Sequence, residues 1–256
     1  MSIEIVKQEE LMLEYLLKKF NGYNHTCSIT NVKDGCVSFI RNKKYESFLE
    51  MIENDCWIII SKKINPFYKS NKVKLLVVDD PDYIFTLYHN EINRNKTKSE
   101  VVIGENCKIH STVILDVDGL KVVNTPDGRK IQFIHTGKVE IGNNVEIGPY
   151  TIIHRGTLDS TIIKNGVKIG AHNNIGHNNV IGENTVFAVG AITNGSVQIG
   201  NNCWIGSGSL IRNGISICAN SVIGLGAVVV KDIKTPGIYM GNPAKFFKPK
   251  PKEWNF

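Results

Sequence analysis

The stretch Lys168-Ile169-Gly170-Ala171-His172-Asn173-Asn174-Ile175-Gly176-His177-Asn178-Asn179-Val180-Ile181-Gly182 places an isoleucine every six residues and a glycine after each. Followed outward, the same phase runs through Ile163, Ile169, Ile175, Ile181, Phe187, Thr193, Ile199, Ile205, Ile211, Ile217, Ile223 and Val229. Ten of these twelve are Ile or Val, and six are followed by Gly, which chance does not produce. A period of six fits neither a helix, at about 3.6 residues per turn, nor a simple alternating strand. It fits a chain that coils through short, flat strands, turns sharply after each, and places one aliphatic side chain inside per strand.

Three sixes make an eighteen-residue echo. Ala188-Val189-Gly190-Ala191 aligns with Gly206-Ser207-Gly208-Ser209 and Gly224-Leu225-Gly226-Ala227, and Asn184, Asn202 and Asn220 keep the same spacing. Asn and Gly tolerate the positive φ that tight corners require. A triangular coil with three strands per turn follows. The hexads also occur earlier, at Ile103-Gly104, Ile109, Ile141-Gly142, Ile147-Gly148 and Ile153. Residues 115–138 interrupt them as an inserted loop containing a Pro126-Asp127-Gly128 turn. The expected fold is therefore β-rich, a left-handed parallel β-helix of hexapeptide repeats.

Residues 1–98 read as a small α/β domain. Leu13, Leu16, Leu17 and Phe20 give an amphipathic helix over Glu9–Phe20. Short strands are expected at Gly35–Ile40, Trp57–Ser61 and Val73–Asp79, and a helix at Pro81 behind Asp80 as N-cap. Arg94-Asn95-Lys96-Thr97-Lys98 makes a charged linker. The β-helix then occupies 99–235 and a short basic tail 236–256.

The 256 residues carry a net charge of +6, unevenly spread: residues 1–100 hold 15 basic against 14 acidic side chains, whereas Lys231–Phe256 is +4. Such a tail suits nucleic acid, a membrane, a phosphorylated small molecule, or simply a solvated terminus. Nucleic acid is the weakest of these, because no arginine cluster or interleaved aromatics accompany the lysines. The longest aliphatic run, Trp57-Ile58-Ile59-Ile60, is far too short to span a bilayer, and Met1-Ser2-Ile3-Glu4-Ile5 does not open like a signal peptide. A cytoplasmic location without membrane insertion is expected. Six cysteines without CxxC spacing read as reduced packing residues.

Among seven histidines, His177 interrupts the repeat, and eighteen residues later, one coil up, lies Gly195. A histidine base beside a bare backbone N–H suits acyl transfer to an amine: the base takes the proton of the attacking nitrogen and the N–H receives the oxyanion. The alternative is an ordinary structural histidine. Gly190, Gly208 and Gly226 leave a strip without bulky side chains, fit for a thin pantetheine arm or needed only for the corners.

Gly176-His177-Asn178-Asn179-Val180-Ile181-Gly182, with Ile147–Gly166 and its His154-Arg155-Gly156-Thr157-Leu158-Asp159, resembles the UDP-3-O-(3-hydroxyacyl)glucosamine N-acyltransferases of lipid A synthesis. The resemblance covers most of the chain. It implies a general base at His177 and an oxyanion amide at Gly195. Cys36–Tyr45 is similar to that family's nucleotide-binding stretch, which implies that Phe39, Asn42 and Tyr45 hold a pyrimidine base. A homotrimer with sites between neighbouring β-helices is likewise implied. Three features depart from the family. Its second histidine is replaced in Asn213-Gly214-Ile215, its acidic partner seven residues before the base is Gly170, and the chain ends before its C-terminal helices for acyl carrier protein. The ending, with Gly241-Asn242-Pro243-Ala244-Lys245, instead resembles coenzyme A-dependent sugar acetyltransferases, and implies that Lys231 and Lys245 meet coenzyme A phosphates.

The expected activity is transfer of an acetyl or short 3-hydroxyacyl group from acyl-CoA to the amine of a dTDP- or UDP-linked amino sugar for surface glycan such as O-antigen, with no metal required. An acyl carrier protein-dependent lipid A enzyme is the near alternative. A γ-type zinc carbonic anhydrase-like hydratase is the alternative of another class, resting on His172-x4-His177 with His154 or His135 as third ligand. A non-catalytic scaffold would leave the pairing of His177 with Gly195 unexplained.

Overall fold

The computed structural model describes residues 2–64, 72–95 and 101–251. They form two compact units, Met1–Thr97 with Leu120–Ile134, and Lys98–Gly119 with His135–Phe256.

The first unit is a four-stranded parallel sheet in the order β1 (His25–Thr26), β2 (Cys36–Ile40), β3 (Cys56–Ser61) and β4 (Val73–Val78). Helix α1 covers Ser2–Lys19, starting seven residues before the amphipathic pattern, and α2 covers Pro81–Asn93. Asp80 caps α2 by accepting the Tyr83 N–H at 3.0 Å, as its position before a proline predicts. Ile58, Ile59 and Ile60 are all fully buried, the mark of a strand covered on both faces. The segment that breaks the hexads contributes a hairpin, Val122–Asn124 with Lys130–Gln132, to this unit. Phe133 behind it is buried with its ring 4.2 Å from that of His89, and Asn90 grips the Gln132 carbonyl and the Ile134 N–H. Arg94 and Asn95 form a turn, while Lys96–Lys98 of the linker lie outside the described residues.

One sequence expectation fails here. Cys27 and Cys36 are joined as a disulfide, so not all six cysteines are reduced. The parallel register of β1 on β2, His25 against Cys36, returns the chain alongside itself and brings the two Cα atoms to 6.4 Å. No motif announces that return. Cys56, Cys107, Cys203 and Cys218 are free.

The second unit is the left-handed parallel β-helix. Its first face stacks Val101–Ile103, Val139–Ile141, Thr161–Ile163, Val180–Ile181, Gln198–Ile199 and Ser216–Ile217. The second runs from Lys108–Ile109 to Val222–Ile223, and the third from Ile114–Val117 to Val228–Val229. Register rows reproduce the six-residue phase: Ile163, Ile181, Ile199 and Ile217 lie one above another, as do Ile175, Thr193, Ile211 and Val229. These side chains form one continuous core, each buried methylene worth about 0.8 kcal/mol. Thr193, the polar exception, sits inside with its hydroxyl 3.3 Å from the Gly176 N–H.

Each corner type has its own column of left-handed residues. Asn106, Asn144, Asn184, Asn202 and Asn220 turn the first face into the second, and Asn178, Ser196 and Gly214 turn the third into the first. The C-terminal segment does not trail away. Ile238–Met240 adds a parallel strand to the second face, and Lys245–Lys248 closes that edge antiparallel.

Candidate active site

His177 stands at a corner between the third and first faces, half-buried. Its Nδ1 is 2.9 Å from Asn178 Oδ1. The orientation of the Asn178 amide is set from elsewhere: Nδ2 donates to the Asp159 carbonyl at 2.8 Å, while Oδ1 accepts from the Thr157 N–H at 3.0 Å and hydroxyl at 2.9 Å. An oxygen so placed accepts from His177 as well, which assigns the imidazole proton to Nδ1 and leaves Nε2 unprotonated. Asn178 itself holds φ 59°, a conformation asparagine tolerates.

Gly195 lies directly over that nitrogen. A Cβ at this position would overlap His177 Cε1 and Nε2, so only glycine lets the ring rest there. Ser196 N–H donates to the His177 carbonyl at 2.7 Å and ties the two corners together, and Asn179 bridges the Gly176 and Asn194 carbonyls at 2.6 and 2.8 Å. Among the described residues the Gly195 N–H donates no hydrogen bond. As the second residue of its turn, Gly195 takes no part through its N–H in the turn's own hydrogen bond, which runs from the first carbonyl to the fourth N–H. The arrangement offers an acceptor nitrogen and a free amide side by side, the elements of base and oxyanion site.

Sequence reasoning missed two features of this corner. His135 is buried, its ring 5.4 Å from that of His177 at 78°, with Nδ1 accepting the Gly119 N–H at 3.1 Å. Gly119 is itself wedged, since a Cβ there would come within 2.8 Å of both His135 Cε1 and His177 Cδ2. The second feature is the role of His154–Asp159. Arg155 pairs with Asp116 at 3.1 Å and Asp118 at 3.2 Å, pinning the segment whose Thr157 and Asp159 hold Asn178. Gly170, where the resemblance implied an acid, is at the opposite corner of the third face, and Asn178 is the group on Nδ1.

Gly190, Gly208 and Gly226 occupy that opposite corner, all at positive φ, above Tyr150 and His172, which adopt the same conformation and stack at 5.1 Å. Since Tyr and His manage this φ, the corner alone does not demand glycine higher up. Open space surrounds Gly208 and Gly226, with nothing within 4 Å of a built Cβ. The Gly241–Lys245 turn docks at the end of this glycine column, Val228 N–H donating to the Gly241 carbonyl and Ala244 N–H to the Val228 carbonyl. Lys231 and Lys245 are exposed.

In the first unit, Phe39 stacks on Phe85 of α2 at 4.5 Å, on one face of the sheet. Asn42, exposed, accepts the Tyr45 N–H at 3.0 Å at the start of a 3-10 helix, Lys43–Met51. Tyr45 is half-buried against the cluster containing Cys36 and Ile40, whose side chains alternate with that of Phe39 along β2. The three residues thus gather at one end of β2, with the two rings resting on opposite faces.

For the metal reading, His172 and His177 fall at different corners, and no cluster of three or more His, Cys, Asp or Glu side chains among the described residues is placed to hold a metal ion. No helix among the described residues is long and apolar enough to cross a membrane.

No family model matches this chain. The UDP-3-O-acylglucosamine N-acyltransferase of Herminiimonas arsenicoxydans is 37% identical over 139 residues, 54% of this chain and 39% of that protein. The protein of that name from Delftia acidovorans is 36% identical over 132 residues, 52% of this chain and 39% of its own length. The chain therefore spans about two fifths of the curated relatives it matches. Among solved structures, UDP-N-acetylglucosamine acyltransferase from Bacteroides fragilis superposes with TM-score 0.52 at 15% identity, covering 87% of this chain and 69% of the other. A second UDP-N-acetylglucosamine acyltransferase also gives 0.52 at 15% identity, over 82% and 61% of the two chains. At such identity the likeness is one of fold. The chain is a left-handed hexapeptide-repeat β-helix protein whose sequence, over about half its length, resembles the hexapeptide-repeat N-acyltransferases.

Proposed function

We propose that this chain is an N-acyltransferase that moves an acetyl or short 3-hydroxyacyl group from acyl-CoA to the amine of a dTDP- or UDP-linked amino sugar, for surface glycan such as O-antigen. The observation that carries this reading is the His177 corner: Nδ1 committed to a locked Asn178, Nε2 left unprotonated, and Gly195 packed against the ring with an N–H that makes no hydrogen bond among the described residues. The sugar amine attacks the thioester carbonyl, and His177 Nε2 takes the proton lost by the nitrogen. The carbonyl oxygen becomes an oxyanion on the Gly195 N–H. Collapse of the tetrahedral intermediate breaks the C–S bond, and the thiolate leaves with the proton held by His177. The trench of Gly190, Gly208 and Gly226 would take the pantetheine arm, with Lys231 and Lys245 on the phosphates. Phe39, Asn42 and Tyr45 would hold the base of the nucleotide.

A homotrimer is part of the proposal. The outward side chains of the third face run Ile114, Ile152, Asn174, Ile192, Leu210 and Val228 in register, a mostly apolar row, and Ile192 is 42% exposed. Such a row suits packing against copies of itself. The lipid A reading, with acyl carrier protein as donor, is favoured by the name of the curated relatives, and the docked Gly241–Lys245 turn favours coenzyme A.

The test is turnover with acyl-CoA and acyl carrier protein donors against dTDP- and UDP-linked amino sugars. His177→Ala is expected to lower kcat about 100-fold or more with the fold intact. Turnover within a few-fold of wild type removes His177 as base, and use of acyl carrier protein alone removes coenzyme A.

A further inference from the structure

Lys121 stands at the entry to the inserted hairpin, its carbonyl accepting the Phe133 N–H at 2.8 Å. Its ammonium lies over two aromatic rings of the first unit, 4.0 Å from the centroid of Phe133 and 5.6 Å from that of Phe39. Those rings end a stack that runs Phe39, Phe85, His89, Phe133. Among the described residues the Lys121 ammonium makes no hydrogen bond or ion pair. The charged groups whose fields reach it are Asp82 on α2 and Arg41 just beyond β2, and these two pair with each other at 3.4 Å. One carboxylate therefore serves two cations. Burial holds the Lys121 ammonium down to a pKa of about 8. A cation withdrawn from water without a partner is unfavourable unless something anionic completes its surroundings. Aromatic faces supply part of that, but no hydrogen-bond acceptor.

We infer that Lys121 is the phosphate-binding cation of the first unit, taking the diphosphate of a nucleoside diphosphate whose base lies at Phe39. The inference rests on the nucleotide role proposed above for that unit. It adds a residue that belongs to no motif and that comes from the segment interrupting the hexads. An anion there completes the charge of Lys121 and Arg41 against Asp82, and holds Lys121 in its protonated form.

Calorimetric titration of the full chain with UDP, dTDP, uridine, thymidine and inorganic pyrophosphate tests this. Lys121→Met keeps the stem over Phe133 and removes the charge. It is expected to weaken the preferred nucleoside diphosphate about 10- to 100-fold, the range for a lost charge-assisted contact, while the matching nucleoside binds as before. Phe39→Ala weakens both. Wild-type affinity for the diphosphate falls as pH rises from about 7 to about 9, through the Lys121 pKa, and Lys121→Arg, which stays charged, flattens that dependence. If Lys121→Met binds the diphosphate as wild type does while Phe39→Ala is impaired, the lysine assignment falls and the nucleotide role stands. If the wild type binds neither nucleoside nor diphosphate, both fall. Pyrophosphate held equally well by wild type and Lys121→Met also overturns the assignment. Should Lys121→Met fail to fold, the pH profile of Lys121→Arg against wild type decides alone.

Discussion

Gly195→Ala adds a single methyl where the structure has none to spare. The glycine does not adopt a positive φ, so alanine suits the backbone, and the effect is one of space alone. The new Cβ would stand 3.0 Å from His177 Cδ2 and nearer still to Cε1 and Nε2, against a comfortable carbon separation of about 3.5–4.0 Å. The imidazole must retreat by about 1 Å, or turn and give up its Asn178 contact. Overpacking of this kind costs about 1–3 kcal/mol of stability. Misplacement of a reacting group by about 1 Å costs about 100-fold in rate, near 2.7 kcal/mol in the barrier. The assay is thiol release from acyl-CoA with a nucleotide amino sugar, read as kcat, beside the melting temperature of the same samples. Asn213→Ala, at the equivalent exposed corner one coil higher, is the control and is expected to change neither. A kcat within about threefold of wild type for Gly195→Ala would refute the claim that base and amide act in contact.

Asn178→Ala removes the acceptor that fixes the His177 tautomer and leaves the Thr157 and Asp159 backbone groups short of partners. A stability loss of about 2–3 kcal/mol by denaturant titration is expected, with the kcat–pH profile losing its plateau. An unchanged profile would mean that another group orients the ring. Ile192→Glu with Leu210→Glu places charge in the apolar row of the third face. Light scattering is expected to show the proposed trimer falling to monomers, with turnover lost although His177 is untouched. Burial pushes the Cys56 and Cys203 thiols up to about 11, so in the native protein they should alkylate far more slowly at pH 8 than Cys107 and Cys218. Between the ordinary thiol value of 9.0 and about 11 the unfolded chain binds fewer protons than the native one. Stability therefore falls as pH rises through that window, measurable by denaturant midpoints.

Legibility in the sequence followed the regularity of the chain. A six-residue phase fixes which side chains point inward and, through its eighteen-residue multiple, which residues stand one coil apart. His177 and Gly195 could be paired on that ground, and the structure puts them in contact. Where the phase breaks, foresight stops. Tyr150 and His172 share one corner column but are twenty-two residues apart, and the register shifts between Ile153 and His154. The hold of Thr157 and Asp159 on Asn178, and the approach of His135 and Gly119 to His177, all come from that irregular region. Cys27 and Cys36 were obscure for a similar reason, since a two-residue strand leaves no periodicity to read.

The base and the proposed donor trench belong to opposite edges of the same face. Gly190 turns the second face into the third, and Gly195, over His177, turns the third into the first. Five residues of extended chain separate them, about 16 Å. A pantetheine arm lying in the trench of one copy therefore does not deliver its thioester to the histidine of that copy unless it crosses the outward surface of the third face. That surface is the mostly apolar row through Ile192 and Leu210, which has its own reason to be covered. Packing third faces around a common axis meets both demands at once. It buries the row, and it sets the trench edge of one copy beside the His177 edge of the next. On the proposed reading a trimer would be a condition of catalysis, and a glycine rather than an acid at Gly170 fits it: that corner would serve the donor, while the group that orients His177 is carried on its own corner, by Asn178.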